Sequence, residues 1–358
     1  MKICIIGNSL TSLALAKGLT NREIFVDVLR TKKNAPLDST RTLGISKANI
    51  EYFNKNISNI NKILWQINKI EIYSENSNNN KIIEFEEKKK NLFCILQNQK
   101  IIKQLTLELK KNKFLKFKKN TNYKNLSKSR YDLIINCDFK HEITNKFFSK
   151  KFTKKYNSIA YTTIIDHKKV SRNNIAKQIF TNLGPLAFLP MSNKRTSVVY
   201  SARIKNHNID LDINNLIRKF NTTYVIKKIN KISKFDLKSL NLRKYYFDNI
   251  IAFGDLLHKI HPLAGQGFNM SIRDIRELLR IIDAKIELGL PINKSVCFEF
   301  QKNTKSKNLI FSEGIDFIYE CFNSENKLKS ELIDTTVKFI GKNSLINKYF
   351  RRLADVGI

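Results

Sequence analysis

Residues 250–269 read Ile250-Ile-Ala-Phe-Gly-Asp-Leu-Leu-His-Lys-Ile-His-Pro-Leu-Ala-Gly-Gln-Gly-Phe-Asn269, and the rest of the chain arranges itself around them. The apolar run Ile250 to Phe253 is a short buried strand ending at Gly254-Asp255. A loop with Pro262, Gly265 and Gly267 follows. From Phe268 onward Ile272, Ile275, Leu279 and Ile282 recur at helical spacing until Gly289 and Pro291 stop the pattern. Strand, glycine turn and helix N-terminus together can hold an anion or an electron-rich ring, because first-turn amides and the helix dipole favour negative charge. Asp255, His258 and His261 also stand three apart, as metal ligands would on a helix. Pro262 and the glycines make this a loop, and no fourth ligand is near, so no metal is expected.

Composition narrows the classes further. At 358 residues the chain can bury a large core in two intertwined domains. Its charge of +34, from 65 Lys and Arg against 31 Asp and Glu, is spread along the sequence rather than gathered in one stripe. That argues against nucleic acid as a partner and leaves attraction to anionic lipid surfaces. No run of eighteen apolar residues is present, so no membrane-spanning helix is expected. Met1 to Gly7 reads as strand and turn rather than as a signal peptide. Five scattered cysteines without a CxxC pair are those of a reduced, cytoplasmic protein.

The opening residues form a βαβ unit: Ile3 to Ile6, a helix from Leu10 to Leu19, then Ile24 to Leu29. Such a unit seats a dinucleotide pyrophosphate on its first helix. Gly7 holds the first glycine place of that fingerprint, while Ser9 and Ser12 stand in the second and third. After the second strand, where an acid normally holds a ribose hydroxyl, the residue is Arg30, which cannot accept that bond.

Read together, these motifs resemble the FAD-dependent aromatic-ring hydroxylases. Gly254-Asp255, His258-Lys-Ile-His-Pro262 and Gly265-Gln-Gly-Phe-Asn269, extended by Arg273-Asp274, match the second flavin motif of that family. Gly184-Pro-Leu-Ala-Phe-Leu-Pro190 looks like the ubiquinone-biosynthesis branch in particular. The resemblance implies an α/β fold: a Rossmann-like FAD-binding domain (1–70, 98–150, 247–290) interleaved with a mostly antiparallel β substrate domain (71–97, 151–246). C-terminal helices (291–358) would close it.

It implies that Asp255 binds the ribityl chain and that the backbone from Gly265 through Gln266, Gly267 and Phe268 to Asn269 faces the flavin. Arg41, in the segment Asp38-Ser-Thr-Arg41, would lie near the cofactor, or else is a surface arginine. Asn98 and Gln99, opening a helix to Lys110, are candidates for a flavin contact, and for Asn98 an N-cap explains the residue as well. Asp138 stands where the family has Ala-Asp-Gly, with Phe139 in place of the glycine. No catalytic base is named.

The implied reaction is a monooxygenation. NAD(P)H reduces FAD, O2 forms a C4a-hydroperoxyflavin, and a hydroxyl passes to a polyprenylated phenol of ubiquinone biosynthesis. The alternative is a redox-inactive flavin-fold subunit of a quinone-synthesis complex, to which Ser9, Ser12, Arg30 and Phe139 point. An apolar substrate implies peripheral contact with the inner membrane or with partner proteins, and the basic, apolar stretch 338–358 is the candidate segment. Elsewhere, Lys47 to Lys69 is predicted as a helix containing Trp65, and residues 76–80 as a loop or hairpin tip.

Overall fold

The computed structural model describes residues 1–30, 40–75, 81–86, 92–119, 121–128, 131–203, 211–261 and 266–324. Pro262, Gly265, Asp38 and the segment 338–358 lie outside these residues.

The chain begins β1 (Lys2–Ile6), α1 (Leu10–Thr20), β2 (Phe25–Arg30), β3 (Thr42–Ser46) and α2 (Lys47–Asn56). It continues β4 (Trp65–Ile67), β5 (Lys69–Ser74), β6 (Lys81–Glu86), β7 (Phe93–Gln97) and α3 (Asn98–Lys110). Next come β8 (Leu115–Lys119), α4 (Tyr123–Lys128), β9 (Leu133–Asn136), α5 (Glu142–Phe147) and β10 (Lys151–His167). Then follow β11 (Ile175–Thr181), β12 (Gly184–Ser192), β13 (Arg195–Arg203), α6 (Ile213–Phe220) and β14 (Ile226–Ile229). The remainder is β15 (Ser233–Leu242), β16 (Tyr246–Phe247), β17 (Ile250–Ala252), β18 (His258–Lys259), α7 (Gly267–Glu287) and α8 (Lys294–Ser324).

One sheet of six strands, ordered β16-β17-β9-β1-β2-β8, carries the βαβ unit. Its central strands pair in parallel, β1 with β2 and β9, and β17 with β9. Strands buried on both faces must be apolar throughout, and Ile3 to Ile6 and Leu133 to Ile135 are. Helix α1 lies against α7, and Gly18 permits the approach: a Cβ there would stand 2.7 Å from Leu279 Cδ1. Asp27 sits inside β2 with its carboxylate taken by Tyr131 (2.7 Å), Lys118 (2.8 Å) and Lys2 (3.3 Å).

The second sheet has nine strands, ordered β18-β15-β10-β13-β12-β11-β5-β6, with β14 also on β10. It is antiparallel apart from the β11–β5 pair. One face packs Tyr161, Ile165, Val198 and Tyr200 on helix α6. A small sheet, β3-β7-β4, joins the two. Two hydroxyl bridges bracket Arg41 at that junction: Thr40 to Thr162 (3.1 Å) and Thr42 to Ser197 (2.8 Å).

The expected helix from Lys47 to Lys69 ends at Asn56 instead, and Trp65 lies in β4. The asparagines that follow Phe53 turn the chain. Asn54 accepts from the Ile60 amide (2.9 Å) and donates to Asn61 (2.8 Å). Side chains that bond nearby backbone compete with helix continuation. Trp65 then donates its indole N–H to the Asn173 carbonyl. Strands β5 and β6 pair antiparallel, and the segment 76–80 lies outside the described residues.

Candidate functional site

Three segments far apart in sequence meet at the carboxyl end of the parallel sheet. The turn after β1 places Gly7 at φ +102°, and a Cβ there would lie 3.6 Å from Asp138, which follows β9. Backbone bonds lock the neighbours: Cys137 N–H donates to the Ile6 carbonyl (2.9 Å) and Phe253 N–H to the Asn136 carbonyl (2.8 Å). Gly254, at φ +65°, rests on the first turn of α1, where a Cβ would come within 3.1 Å of Thr11 Cγ2. Asp255 follows, exposed, in a short 3-10 turn. Open parallel sheets bind their ligands in such a crevice at the strand ends.

Within this crevice Asp138 is the informative residue. Its Oδ1 accepts the Lys140 amide at 2.9 Å, while its Oδ2 is buried with no partner among the described residues. A buried carboxylate oxygen left without a donor costs free energy, so the position suits a ligand that brings a hydroxyl or N–H. The two serines in glycine places are bonded to each other. Ser9 caps α1 by accepting the Ser12 amide (3.3 Å), and their hydroxyls lie 2.9 Å apart. Ser12 is fully buried. One helix-terminal N–H that could meet a phosphate is therefore already used. Arg30, at the end of β2, lays its guanidinium 3.8 Å from the Phe117 ring centre.

Across the crevice, Asn98 is the first helical residue of α3 and donates its N–H to the Arg41 carbonyl (3.1 Å). The cap position is Gln97, without a side-chain bond, so Asn98 is not the N-cap. Arg41 and Asn98 thus stand together, with Gln99 next along the helix and exposed. At the start of α7, Asn269 is buried and its side chain is fully engaged. It accepts from Ser46 N–H (3.1 Å) and Asn49 (3.0 Å), and donates to the Gly44 carbonyl (3.0 Å) and Gln266 (3.3 Å). Asn269 is a latch between α7 and β3, which leaves its backbone, and that of Gly267 and Phe268, as the part facing outward from the helix end.

The motif's histidines turn to different partners. His258 Nε2 meets Asp274 at 2.5 Å, and Asn308 holds the other carboxylate oxygen at 2.9 Å. His261 stacks on Tyr319 (centroids 4.1 Å apart) and meets Tyr156 edge-on (4.9 Å). Neither of its ring nitrogens has a partner among the described residues. Lys259 carries no role in the sequence reading, yet it is half-buried, and its pKa is lowered by burial against the pull of Asp255, with Arg41 adding to the lowering. Strand alternation could have found it, since His258 faces the core and Lys259 must then face the other way.

A family model for the FAD binding domain matches residues 132–287, from the start of β9 to the end of α7. The ubiquinone hydroxylase UbiL of Rhodospirillum rubrum is 24% identical over 183 residues, 48% of this chain and 41% of that protein. The 3-demethoxyubiquinol 3-hydroxylase of Escherichia coli K12 is 29% identical over 154 residues, 41% of this chain and 39% of that one. Over the stretch from β9 to α7 the chain is thus similar to FAD binding domains, and its curated relatives are ubiquinone hydroxylases.

Its relatives lie in the ubiquinone-biosynthesis branch, and the matches span about two fifths of those relatives' length. Solved structures align over nearly the whole chain. The p-nitrophenol 4-monooxygenase PnpA of Pseudomonas putida DLL-E4 gives a TM-score of 0.77 at 12% identity, covering 98% of this chain and 96% of that one. Klebsiella pneumoniae HpxO, complexed with FAD and uric acid, gives 0.71 at 11% identity, covering 99% and 97%. At such identities the likeness is one of fold.

Proposed function

We propose that the chain is an FAD-dependent monooxygenase that hydroxylates the ring of a polyprenylated phenol in ubiquinone biosynthesis, with NAD(P)H as reductant and O2 as oxidant. The observation that carries this is the unpartnered Asp138 Oδ2 beside Gly7 and Gly254-Asp255 at the mouth of α1. These residues fit FAD: glycines let the backbone approach, and Asp138 and Asp255 offer acceptors for its hydroxyls. When bound, the flavin supplies the redox chemistry and oxygen activation. The protein's part is positional. Residues 1–70, 98–150 and 247–290 hold the cofactor, with Arg41, Asn98 and Gln99 on one side of it. The backbone of Gln266, Gly267, Phe268 and Asn269 lies on the other. The N-terminal dipole of the 21-residue helix α7 favours negative charge beside it. The nine-stranded sheet meets this assembly through Thr162 and Ser197 and forms the apolar substrate side.

Purified chain incubated with FAD is expected to turn yellow and to melt at a higher temperature. Colourless protein with no thermal shift sinks the enzyme reading. It would favour the second one, a redox-inactive flavin-fold subunit of a quinone-synthesis complex, for which the self-capped Ser9–Ser12 pair speaks.

The crevice also orders two substitutions. Asp255→Ala removes a charged acceptor, worth about 1.5–3 kcal/mol, so the FAD dissociation constant should rise roughly tenfold to a hundredfold. Ser9→Ala removes only the internal cap and should change it by less. Flavin fluorescence titration of both variants measures this. Equal affinity of Asp255→Ala and the unsubstituted chain would show the cofactor to be placed wrongly.

A further inference from the structure

The edge of the six-stranded sheet carries an aromatic stack that the flavin site does not use. Phe147 of α5 and Phe247 of β16 lie face to face, centroids 4.0 Å apart at 12°, and Tyr123 of α4 meets Phe147 edge-on at 5.3 Å. Cations lie over the rings, and an acid stands beside them, the exposed Glu142, whose carboxylate accepts the Tyr123 amide. Lys146 lies over Tyr123 (4.5 Å) and Phe147 (5.3 Å), and Lys244 over Tyr246 (5.8 Å) and Phe247 (5.9 Å). The surface continues through Arg243, whose backbone bonds to Lys150 and whose guanidinium lies 4.6 Å from the ring of Phe152. Phe247 is 41% exposed and Phe152 55%. Among the described residues, Lys146, Lys244 and Arg243 meet rings and make no ion pair, and all three are exposed.

We propose that this face docks the protein on a bilayer surface rich in anionic phospholipid. Aromatic rings settle at the headgroup level, and lysine and arginine stems lie along them while their charged ends reach phosphate. A chain of net charge +34 is drawn to such a surface before any contact forms. Single-stranded nucleic acid fits less well. Its bases need free ring faces to stack on, and here Phe147 and Phe247 cover each other while Lys146 and Lys244 lie on the outer side. The docking serves catalysis on the reading that the substrate is a membrane-resident polyprenylated phenol. Lipid binding itself requires no flavin, so the two readings can fail separately.

Flotation of the full chain, without FAD, with mixed phosphatidylglycerol and phosphatidylcholine vesicles tests the proposal. Binding to the mixed vesicles, release by high salt and little binding to pure phosphatidylcholine are expected. Arg243→Glu with Lys244→Glu should lower the partition coefficient about tenfold or more. Phe152→Ser with Phe247→Ser should lower it at unchanged charge. Circular dichroism and FAD titration report whether each variant is folded, and Arg243→Gln with Lys244→Gln replaces the reversal should that unfold. Undiminished flotation of the folded variants would overturn the proposal, as would equal binding to uncharged vesicles. Displacement from mixed vesicles by a single-stranded oligonucleotide, with tighter binding to it than to lipid, would overturn it in favour of nucleic acid.

Discussion

Gly184→Ala is expected to cost roughly 3–5 kcal/mol of stability, the sum of a strained backbone and a steric overlap. Gly184 opens β12 at φ +137°, a conformation that side-chain-bearing residues rarely adopt. A Cβ there would stand 2.1 Å from the Ser201 carbonyl oxygen on β13. Neither side can retreat. Arg203 N–H donates to the Leu183 carbonyl at 2.7 Å, and Thr181 donates to the Gly184 carbonyl at 2.8 Å while meeting Tyr200 at 3.0 Å. These strands sit in the middle of the nine-stranded sheet, with Leu186 paired to Tyr200. Gly267→Ala is the control, because a Cβ at that helix N-terminus meets nothing within 4 Å. Urea unfolding of the apoprotein should leave Gly267→Ala within about 0.5 kcal/mol of the parent. A Gly184→Ala chain within 1 kcal/mol of the parent would show that the turn relaxes and that the overlap is not real.

The elements legible in the sequence are those whose signal is local. The helix opening at Asn98 and closing at Lys110 has its apolar positions Ile101, Leu105 and Leu109 buried as the spacing requires. The βαβ start and the long helix after Gly267 are equally local patterns, a glycine turn followed by a 3.6-residue period. What could not be read depends on partners distant in sequence. Whether Lys47 to Lys69 continues as helix turns on bonds from Asn54 to Ile60 and Asn61, and on Trp65 finding the carbonyl of Asn173. Propensity alone is a weak guide where tertiary partners decide.

The site divides in the same way. Gly7, Asp138 and Gly254-Asp255 were identifiable one by one, and β9 passing beside β1 and β17 is what brings them together. Sequence marks Asn269 as a motif residue without saying that its amide is spent on Gly44 and Ser46. Ser9 and Ser12 read as losses from a glycine fingerprint, whereas they also complete a helix cap. The damage and the compensation occupy the same two side chains, and only the bond between them shows it.

His261 should give the chain a measurable weakness to acid. It is 1% exposed, clamped between Tyr156 and Tyr319, and burial drives its pKa from 6.5 down to about 3. The unfolded chain binds this proton below about pH 6.5 while the folded one resists it to about pH 3. Between those values the unfolded state holds more protons, so stability falls as pH falls. Relative to a chain lacking the histidine, about 2 kcal/mol should be lost between pH 7 and pH 5, and about 4 kcal/mol by pH 3. His261→Phe keeps the ring in its stack and removes the two unpartnered nitrogens. It should match or exceed the parent at pH 7 by about 1 kcal/mol, since an unsatisfied buried polar group is replaced by an apolar one. Burial also raises the pKa of the Asp316 carboxyl, so neither curve alone is diagnostic. The difference between the two isolates residue 261. Urea unfolding at pH 7, 6 and 5 should therefore show the curves diverging as pH drops, with the phenylalanine chain the flatter. Parallel curves would mean that the imidazole takes up its proton in the folded state at an ordinary pH, and that it has a hydrogen-bonding partner after all.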